Sequence, residues 1–399
     1  MYNVLLVPVN DLLTHPIETR FISIAKKLIE KFNFNFSVLR YNNIPTSSSV
    51  KRKLDFKQIN LKDFKTGNVG TYYVANSIPI FSALSNHLKK EKIDIVIHAN
   101  VLPSTIAVNV AKIFNKSLIY DFQDYFPESA ASYFKDGILK SVTYSLTSQL
   151  TRFNIKHSDA VVTVTSAHKE KIKEYDSSKF VEVIPNGVDA DLFRPIPKSE
   201  ALKRLNMEEL GDKIILIYFG SVDQWLDFST VFKVIKRLAR KGFDVVLFIV
   251  GFCHGKYFLE EIKETAERIG IRDRLFMFDP VPQDELVYYV NAADVTLVPY
   301  KPSLKNQAVP LKILESIACG KSVCARNLSE IVERFGDVVS TYSCEEELEN
   351  ALLNYIKGKI QFSPDRIREI VDQYSWDNIA SSYSDLIKQV INERACPRA

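Results

Sequence analysis

The sequence predicts an α/β chain of two doubly wound, parallel-sheet domains, and three observations carry that prediction. The 399 residues exceed what a single hydrophobic core normally organises. Short apolar runs of strand length alternate with segments whose apolar residues recur at helical spacing, the pattern of a parallel sheet covered on both faces. The alternation then begins afresh after a break at 185–197 that holds three prolines and the turn pair Asn186-Gly187.

In chain order, "YNVLLVPV" is a short apolar strand. "HPIETRFISIAKKLIEKF" follows, with Phe21, Ile24, Ala25, Leu28 and Ile29 on one helical face. "FNFSVLRY" alternates as a strand, "DIVIHAN" is a buried strand, and "PSTIAVNVAKIFN" is a helix. "SLIYDFQD" and "DAVVTVTS" complete the first set of strands. The second set runs "KIILIYFGS", helix "FSTVFKVIKRLARKG", "DVVLFIVG", helix "KYFLEEIKETAERIG", "RLFMFDPV", helix "QDELVYYVNAA" and "DVTLVPY". It closes with the helix inside "AVPLKILESIACGKSV" and the strand "SVCARN". Ligands of such sheets sit beyond the C-terminal strand ends. Function is therefore expected on the loops 8–16, 98–105, 121–128, 219–227, 251–256, 279–284 and 300–312, facing a cleft between the domains.

Composition excludes several classes. The five cysteines show no CxxC spacing, which argues against a structural zinc site and for reduced thiols in a cytoplasmic setting. No signal-peptide pattern opens the chain, and no run of about 18 apolar residues is present to span a bilayer. No GxGxxG follows a strand, so a dehydrogenase is not expected. Net charge is +4 but uneven: residues 1–190 hold 24 Lys/Arg against 17 Asp/Glu, and the excess concentrates in "KRKLDFKQINLKDFK" (51–65). That stretch reads either as a solvated loop and helix face or as attraction to an anionic lipid surface or phosphorylated acceptor. Aromatic residues are not interleaved with a continuous basic run, so nucleic acid is not an expected partner.

The chemistry-bearing segment is "YKPSLKNQAVPLKILESIACG" (300–320). Pro310 suits the first turn of a helix, where its missing N–H costs nothing. The free amides of Leu311 and Lys312, with the helix dipole, favour an anion such as a phosphate, and Lys312 adds a full charge. Glu315 lies about one turn further on in an otherwise apolar helix. It is read either as a carboxylate that accepts hydrogen bonds from paired ribose hydroxyls or as a dipole-favoured surface residue.

"VIPNGVDADLFRP", "NAADVTLVPY" and "VPLKILESIACGKSV" together resemble the retaining glycosyltransferases of family 4, with the GT-B fold. The resemblance runs through both domains and is strongest over 160–325. It implies an acceptor-side domain at 1–190, joined by a crossover helix from 376–399, and a nucleotide-sugar-binding domain at 191–375. It implies that Glu315 holds the donor ribose and that Ala308, Val309, Pro310 and Leu311 touch the donor's phosphates and ribose. The strand end at Val281 and Pro282 would border the base.

The chain departs from the family's pattern at three places. The first acidic position of the family's paired-Glu motif is Gln307, which hydrogen-bonds hydroxyls but cannot act as a carboxylate nucleophile. The loop "FGSVDQWLDF" lacks the Arg and Lys that many relatives carry. Gly220 and Ser221 offer close backbone approach there, and Lys305, Lys312 or Arg326 must bring the charge. In "YDFQDYFPE", Gln123 replaces a common His while Asp124 keeps the acid, to orient an acceptor hydroxyl or to cap a helix. His15 is the histidine of the first loop and a candidate for acceptor or phosphate contact, whereas His98, His168 and His254 carry weaker claims.

The expectation is a metal-independent enzyme at the cytoplasmic face. It moves a hexose from a nucleotide sugar, UDP-glucose or another UDP-hexose first and GDP-mannose next, to a glycan or lipid-linked glycan, with peripheral membrane contact through the basic N-terminal domain. No further cofactor is expected. Two alternatives are carried: an enzyme like UDP-N-acetylglucosamine 2-epimerase, and a non-catalytic subunit that binds sugar nucleotide or glycan.

Overall fold

The computed structural model describes residues 1–15, 20–45, 52–132, 134, 137–253, 256–302, 310–359 and 362–395. The chain divides into two compact units, Met1–Asn186 with Trp376–Ala399, and Gly187–Ser375.

The first unit holds seven strands: β1 (Tyr2–Val7), β2 (Phe34–Arg40), β3 (Lys57–Asn60), β4 (Ile95–His98), β5 (Ser117–Phe122), β6 (Ala160–Thr163) and β7 (Val181–Val183). They form one parallel sheet in the order β3-β2-β1-β4-β5-β6-β7. Val4–Val7, Ile95–His98 and the whole of β5 are buried, which explains why these strands read as unbroken apolar runs. The basic stretch that reads as loop and helix face contains β3, an edge strand with its side chains mostly in solvent. Its outward lysines fit the usual protection of a sheet edge.

Right-handed crossovers put the helix Arg20–Phe32 on one face of this sheet. The connections that follow β3, β4 and β5 lie on the other. The closing helix Trp376–Ala395 packs on Arg20–Phe32 and on β5. A buried polar junction fastens it: Tyr383 donates its hydroxyl hydrogen to Asp121, and Arg20 lies 3.6 Å from the same carboxylate. Arg20 also donates to the Ile184 carbonyl at 3.0 Å and to Asn186 Oδ1 at 3.2 Å. One guanidinium thus joins the first helix, the interior strand β5, the closing helix and the segment that leads out of the unit. Burial raises the Asp121 pKa, and the Arg20 charge opposes the rise.

The second unit holds β8 (Ile214–Val222), β9 (Val245–Cys253), β10 (Leu275–Phe278), β11 (Val295–Val298), β12 (Ser322–Arg326) and β13 (Ser340–Tyr342), ordered β10-β9-β8-β11-β12-β13 and parallel throughout. Asn291 and Asp294, from the motif "NAADVTLVPY", organise the entry to this sheet. Asn291 accepts from the Ile196 amide at 2.8 Å and donates to the Arg194 carbonyl at 3.0 Å, while Asp294 accepts from the Ile215 amide and the Lys198 ammonium, both at 2.7 Å. Among the described residues no helix is long and apolar enough to cross a membrane.

Removing one member of a buried ion pair strands the other. Arg20→Ala should therefore cost about 3 kcal/mol of stability, and Tyr383→Phe, which deletes a single hydrogen bond, about 1 kcal/mol. Urea denaturation followed by tryptophan fluorescence reads both, and an Arg20→Ala protein as stable as the parent would refute the role of this junction.

Candidate functional site

In the second sheet the first strand, β8, lies beside the fourth, β11. Strand order reverses there, so the connections leave in opposite directions and a crevice opens over the C-terminal strand ends. The loop after β8 folds onto the end of β11: the Asp227 amide donates to the Pro299 carbonyl at 2.7 Å and the Lys301 amide to the Trp225 carbonyl at 2.8 Å. Asp227 also caps the helix Phe228–Arg240 by accepting from the Thr230 amide at 3.2 Å. Arg326 fastens the arrangement from β12. It donates to the carbonyls of Tyr300 at 3.1 Å and Ser343 at 2.9 Å, and to Asp227 Oδ2 at 3.2 Å. This buried guanidinium is fully engaged in the fold, which corrects its candidacy as a source of charge for a diphosphate.

Lys312 is placed differently. It is the second residue of the helix Leu311–Ala318, and its ammonium lies 5.1 Å from the centroid of the Tyr218 ring and 5.6 Å from that of Tyr300. Its hydrogen bond to the Tyr300 hydroxyl is long, 3.5 Å, and among the described residues no carboxylate pairs with it. Two aromatic faces hold the cation without neutralising it. A side chain at Gly220 would meet the Lys312 Cε and Nζ at 3.6 Å, so the ammonium stands over the bare backbone at the end of β8.

That backbone is bare for a steric reason. Gly220 pairs in register with Gly251 of β9, and a Cβ on Gly251 would lie 2.0 Å from the Gly220 carbonyl oxygen. Gly220 itself has φ of +115°, a conformation that L side chains rarely adopt. The crossing of two glycines sets the chain direction at Gly220 and Ser221, and Tyr218 donates its hydroxyl hydrogen to the Ser221 carbonyl.

Pro310 is the N-cap of the helix, with φ −66° and ψ 132°, and not its first helical residue. Its carbonyl accepts from the Ile313 amide at 3.0 Å, while among the described residues the amides of Leu311 and Lys312 meet no acceptor. At the other end Gly320, at φ +69°, gives the glycine stop: its amide bonds to the Ile317 carbonyl at 2.9 Å and the Lys321 amide to the Ser316 carbonyl at 2.9 Å. Ile313, Leu314, Ser316 and Ile317 are buried, and Ser316 bonds to Thr296 of β11 at 2.7 Å. Glu315 is 7% exposed, so it is not a surface residue. Among the described residues no donor reaches its carboxylate. Burial pushes its pKa up to about 7, against the pull of the Lys312 charge.

Two family models match the chain: "Glycosyl transferases group 1" over residues 203–389 and "Glycosyltransferase Family 4" over residues 47–192. The chain belongs to the family 4 glycosyltransferases, of GT-B fold. A D-inositol 3-phosphate glycosyltransferase of Thermobifida fusca is 31% identical over 169 residues, 41% of this chain and 37% of that protein. The chain spans about two fifths of the length of such curated relatives. Among solved structures, sucrose-phosphate synthase of Thermosynechococcus elongatus superposes with a TM-score of 0.78 at 15% identity, over 98% of this chain and all of that one. Anabaena HepE in complex with UDP-glucose superposes with a TM-score of 0.65 at 14% identity, over the full length of both.

Within this family 4 chain the structure brings together Gly220, Ser221, Pro310, Leu311, Lys312 and Glu315. Val281 and Pro282 follow β10, which β9 separates from β8, and Pro282 is the N-cap of the helix Gln283–Ala292. Gln307, Ala308 and Val309, together with Lys305 and His254, lie outside the described residues.

In the first unit, Asp124 is exposed two residues before the helix Phe126–Ser132 and accepts from the Tyr125 amide at 2.8 Å. His15 is half-buried in the loop after β1, and its amide donates to the Asp11 carbonyl at 3.0 Å. Asp11, which sequence reasoning passed over, holds that loop. Its buried carboxylate accepts from Arg40 at 2.7 Å and from the amides of Tyr41 (2.8 Å), Leu13 (3.0 Å) and Thr14 (3.1 Å). His98 is fully buried, stacked on Tyr120 and bonded to Ser158 at 3.0 Å, with its pKa pushed down to about 3 by burial; its place is in the fold. His168 is likewise enclosed, against Phe122 and Tyr125, and burial lowers its pKa to about 4.

Gly251→Ala should destabilise the protein by about 2–4 kcal/mol, because the β8–β9 pair has to separate to admit the methyl group. Gly67→Ala, where the added carbon meets nothing within 4 Å, should stay within about 0.5 kcal/mol of the parent. Thermal melts of the two variants compare them directly, and equal melting temperatures would contradict the steric argument.

Proposed function

We propose that the protein transfers a hexose from a nucleotide sugar, a UDP-hexose first, to a glycan or lipid-linked glycan acceptor, with retention of configuration and without a metal ion. The observation that carries this is the uncompensated Lys312 ammonium over the glycine strand end, one helical turn from an unpartnered, buried Glu315. The ammonium and the free amides of Leu311 and Lys312 take the diphosphate, whose negative charge grows as the glycosidic bond breaks. Glu315 takes the ribose hydroxyls. The UDP-glucose held by the structurally similar HepE, and the sugar-transferring activities in the names of the relatives, support the same chemistry.

The donor is assigned to the Gly187–Ser375 unit and the acceptor to the Met1–Asn186 unit, where His15 and Asp124 are the candidates for orienting a hydroxyl. Gln307 carries no carboxylate, so retention calls for a front-face displacement. The acceptor oxygen bonds to the anomeric carbon on the face from which the diphosphate departs, and its proton passes to the leaving phosphate oxygen. The family matches argue against the epimerase alternative. Gln307 and the missing basic pair both motivate the binding-only alternative, and Lys312 answers the second of these.

UDP and UDP-glucose should raise the melting temperature, by mass action on the folded state, and Lys312→Met should weaken both by at least about tenfold. Turnover should persist in a chelator, and NMR of the product should show the donor's anomeric configuration. Strict metal dependence or inversion would overturn those parts of the assignment.

Glu315 gives a pH test with a definite sign. Its folded pKa, about 7, lies above its ordinary 4.5, so protonation favours the folded state, and the stability this gives is lost as pH rises through 7. Glu315→Gln should therefore stabilise the ligand-free protein at pH 8, by up to about 3 kcal/mol, while weakening donor binding. In the parent, donor affinity should fall about tenfold between pH 8 and pH 6 as the carboxylate is protonated. A variant that loses stability and binding together would make Glu315 a structural residue only.

A further inference from the structure

Among the described residues, four other than glycine have positive φ. Asn33, Asn115 and Asn206, at +51° to +61°, lie in the small left-handed region that asparagine tolerates, one or two residues past the end of a helix. Asn100 is the exception. Its φ of +135° lies between those of Gly220, +115°, and Gly137, +146°. It ends no helix but stands two residues beyond β4, at the C-terminal edge of the first sheet.

Glycine would take this conformation freely, so the side chain has to be accounted for. Asn100 is 9% exposed. Its Nδ2 donates to the Val9 carbonyl at 3.0 Å, and its Oδ1 accepts from the Val101 amide at 2.6 Å. Its own carbonyl accepts from the Tyr120 hydroxyl at 2.9 Å, and the buried His98 stacks on that tyrosine. Three hydrogen bonds thus over-determine a backbone conformation that is unfavourable by itself. The Nδ2 bond leads to the loop after β1. Tyr73, from the helix Val69–Ala75, donates to the same Val9 carbonyl at 2.6 Å, and Tyr41 donates to the Pro8 carbonyl at 3.1 Å. Two successive carbonyls are therefore gripped from three other elements, and Asp11 holds the turn that follows. The course of the loop toward His15 is fixed before a ligand arrives.

We propose that Asn100 is a positioning residue for sugar transfer: by holding the Val9 carbonyl it sets the loop 8–15, and with it the groups presented to the acceptor. The inference rests on the reading that the first unit takes the acceptor. Stability alone does not explain the asparagine. Glycine would keep the Tyr120 bond and drop the strain, and what it would give up is the tie to Val9 and to the Val101 amide. Strain of this kind collects where a group has to be held in one place for function. A loop already in place needs no ordering when the acceptor binds, and a misplacement of about 1 Å at a reacting group costs on the order of a hundredfold in rate.

The test compares Asn100→Gly, Asn100→Asp and Tyr73→Phe with the parent, and takes Asn206→Gly as the control for a positive φ elsewhere. Hydrogen exchange of the full chain, read by mass spectrometry, should be at least about tenfold faster across 8–15 in the first three and unchanged in the control. Asn100→Gly should melt within about 4 °C of the parent, because relief of strain offsets the lost hydrogen bonds. Asn100→Asp keeps the shape but sets an oxygen against the Val9 carbonyl, so it should hold the loop no better than glycine. With UDP-glucose as donor and octyl β-D-glucoside as the acceptor probe, kcat/KM for the acceptor should fall about tenfold or more in all three. KM for UDP-glucose and the UDP-induced thermal shift should stay as in the parent. Unchanged exchange across 8–15, faster exchange with transfer unaffected, or donor and acceptor parameters that fail together would overturn the positioning role and leave the transferase reading standing. A parent that transfers no glucose to the probe would instead remove the acceptor reading, and the proposal with it, whatever the exchange shows.

Discussion

Reversal of strand order between β8 and β11 is the constraint on which the second unit's chemistry depends. Chains that leave two adjacent parallel strands in opposite directions cannot cover the strand ends between them, and what lines that gap is decided by the few residues on either side. Here one side is backbone, kept bare by the crossing of Gly220 and Gly251. The other side is the start of a short helix, whose second residue extends a cation across the gap between two tyrosine rings. A carboxylate within ion-pair range would cancel that charge. Aromatic faces position it and leave it available to a phosphate.

The order of layers was legible in the sequence because it rests on short-range patterns. Buried parallel strands are unbroken apolar runs, and the helices between them show one apolar face, so "YNVLLVPV", "KIILIYFGS" and "DVVLFIVG" could be read directly as strands. The elements that escaped are those that burial does not mark. β3 is an edge strand among lysines, β7 and β13 are three residues long, and the helix Ile138–His157 exposes the apolar side chains that would otherwise betray a buried face. The segment around Lys312 and Glu315 was legible because a proline start, a glycine stop and a lone carboxylate within an apolar helix are local signals. The glycine crossing was not, because it pairs residues 31 positions apart that meet only through sheet register.

Arg326 and Lys312 show why residue type alone misassigns a site. Both are basic, and both approach Tyr300. Arg326 finds two carbonyls and a carboxylate, so its desolvation is offset within the fold. Asp11 in the first unit is likewise engaged by its own neighbours. A buried charge so satisfied has no free energy left to gain from a ligand.

Lys312 and Glu315 invert that condition. Folding has taken Glu315 from water without a hydrogen-bonding partner, and has set the half-buried Lys312 against aromatic rings with no carboxylate beside it; the first of these costs stability in the empty protein. The same deficit becomes affinity when a ligand brings the missing groups, anionic oxygens for one and hydroxyls for the other. A nucleoside diphosphate carries both, separated by the few bonds between its phosphates and its ribose, and the two side chains are separated by one turn of a helix. In the proposed donor site, binding strength and the instability of the unliganded site are one free energy seen from two sides, so a substitution that relieves the second is expected to forfeit the first.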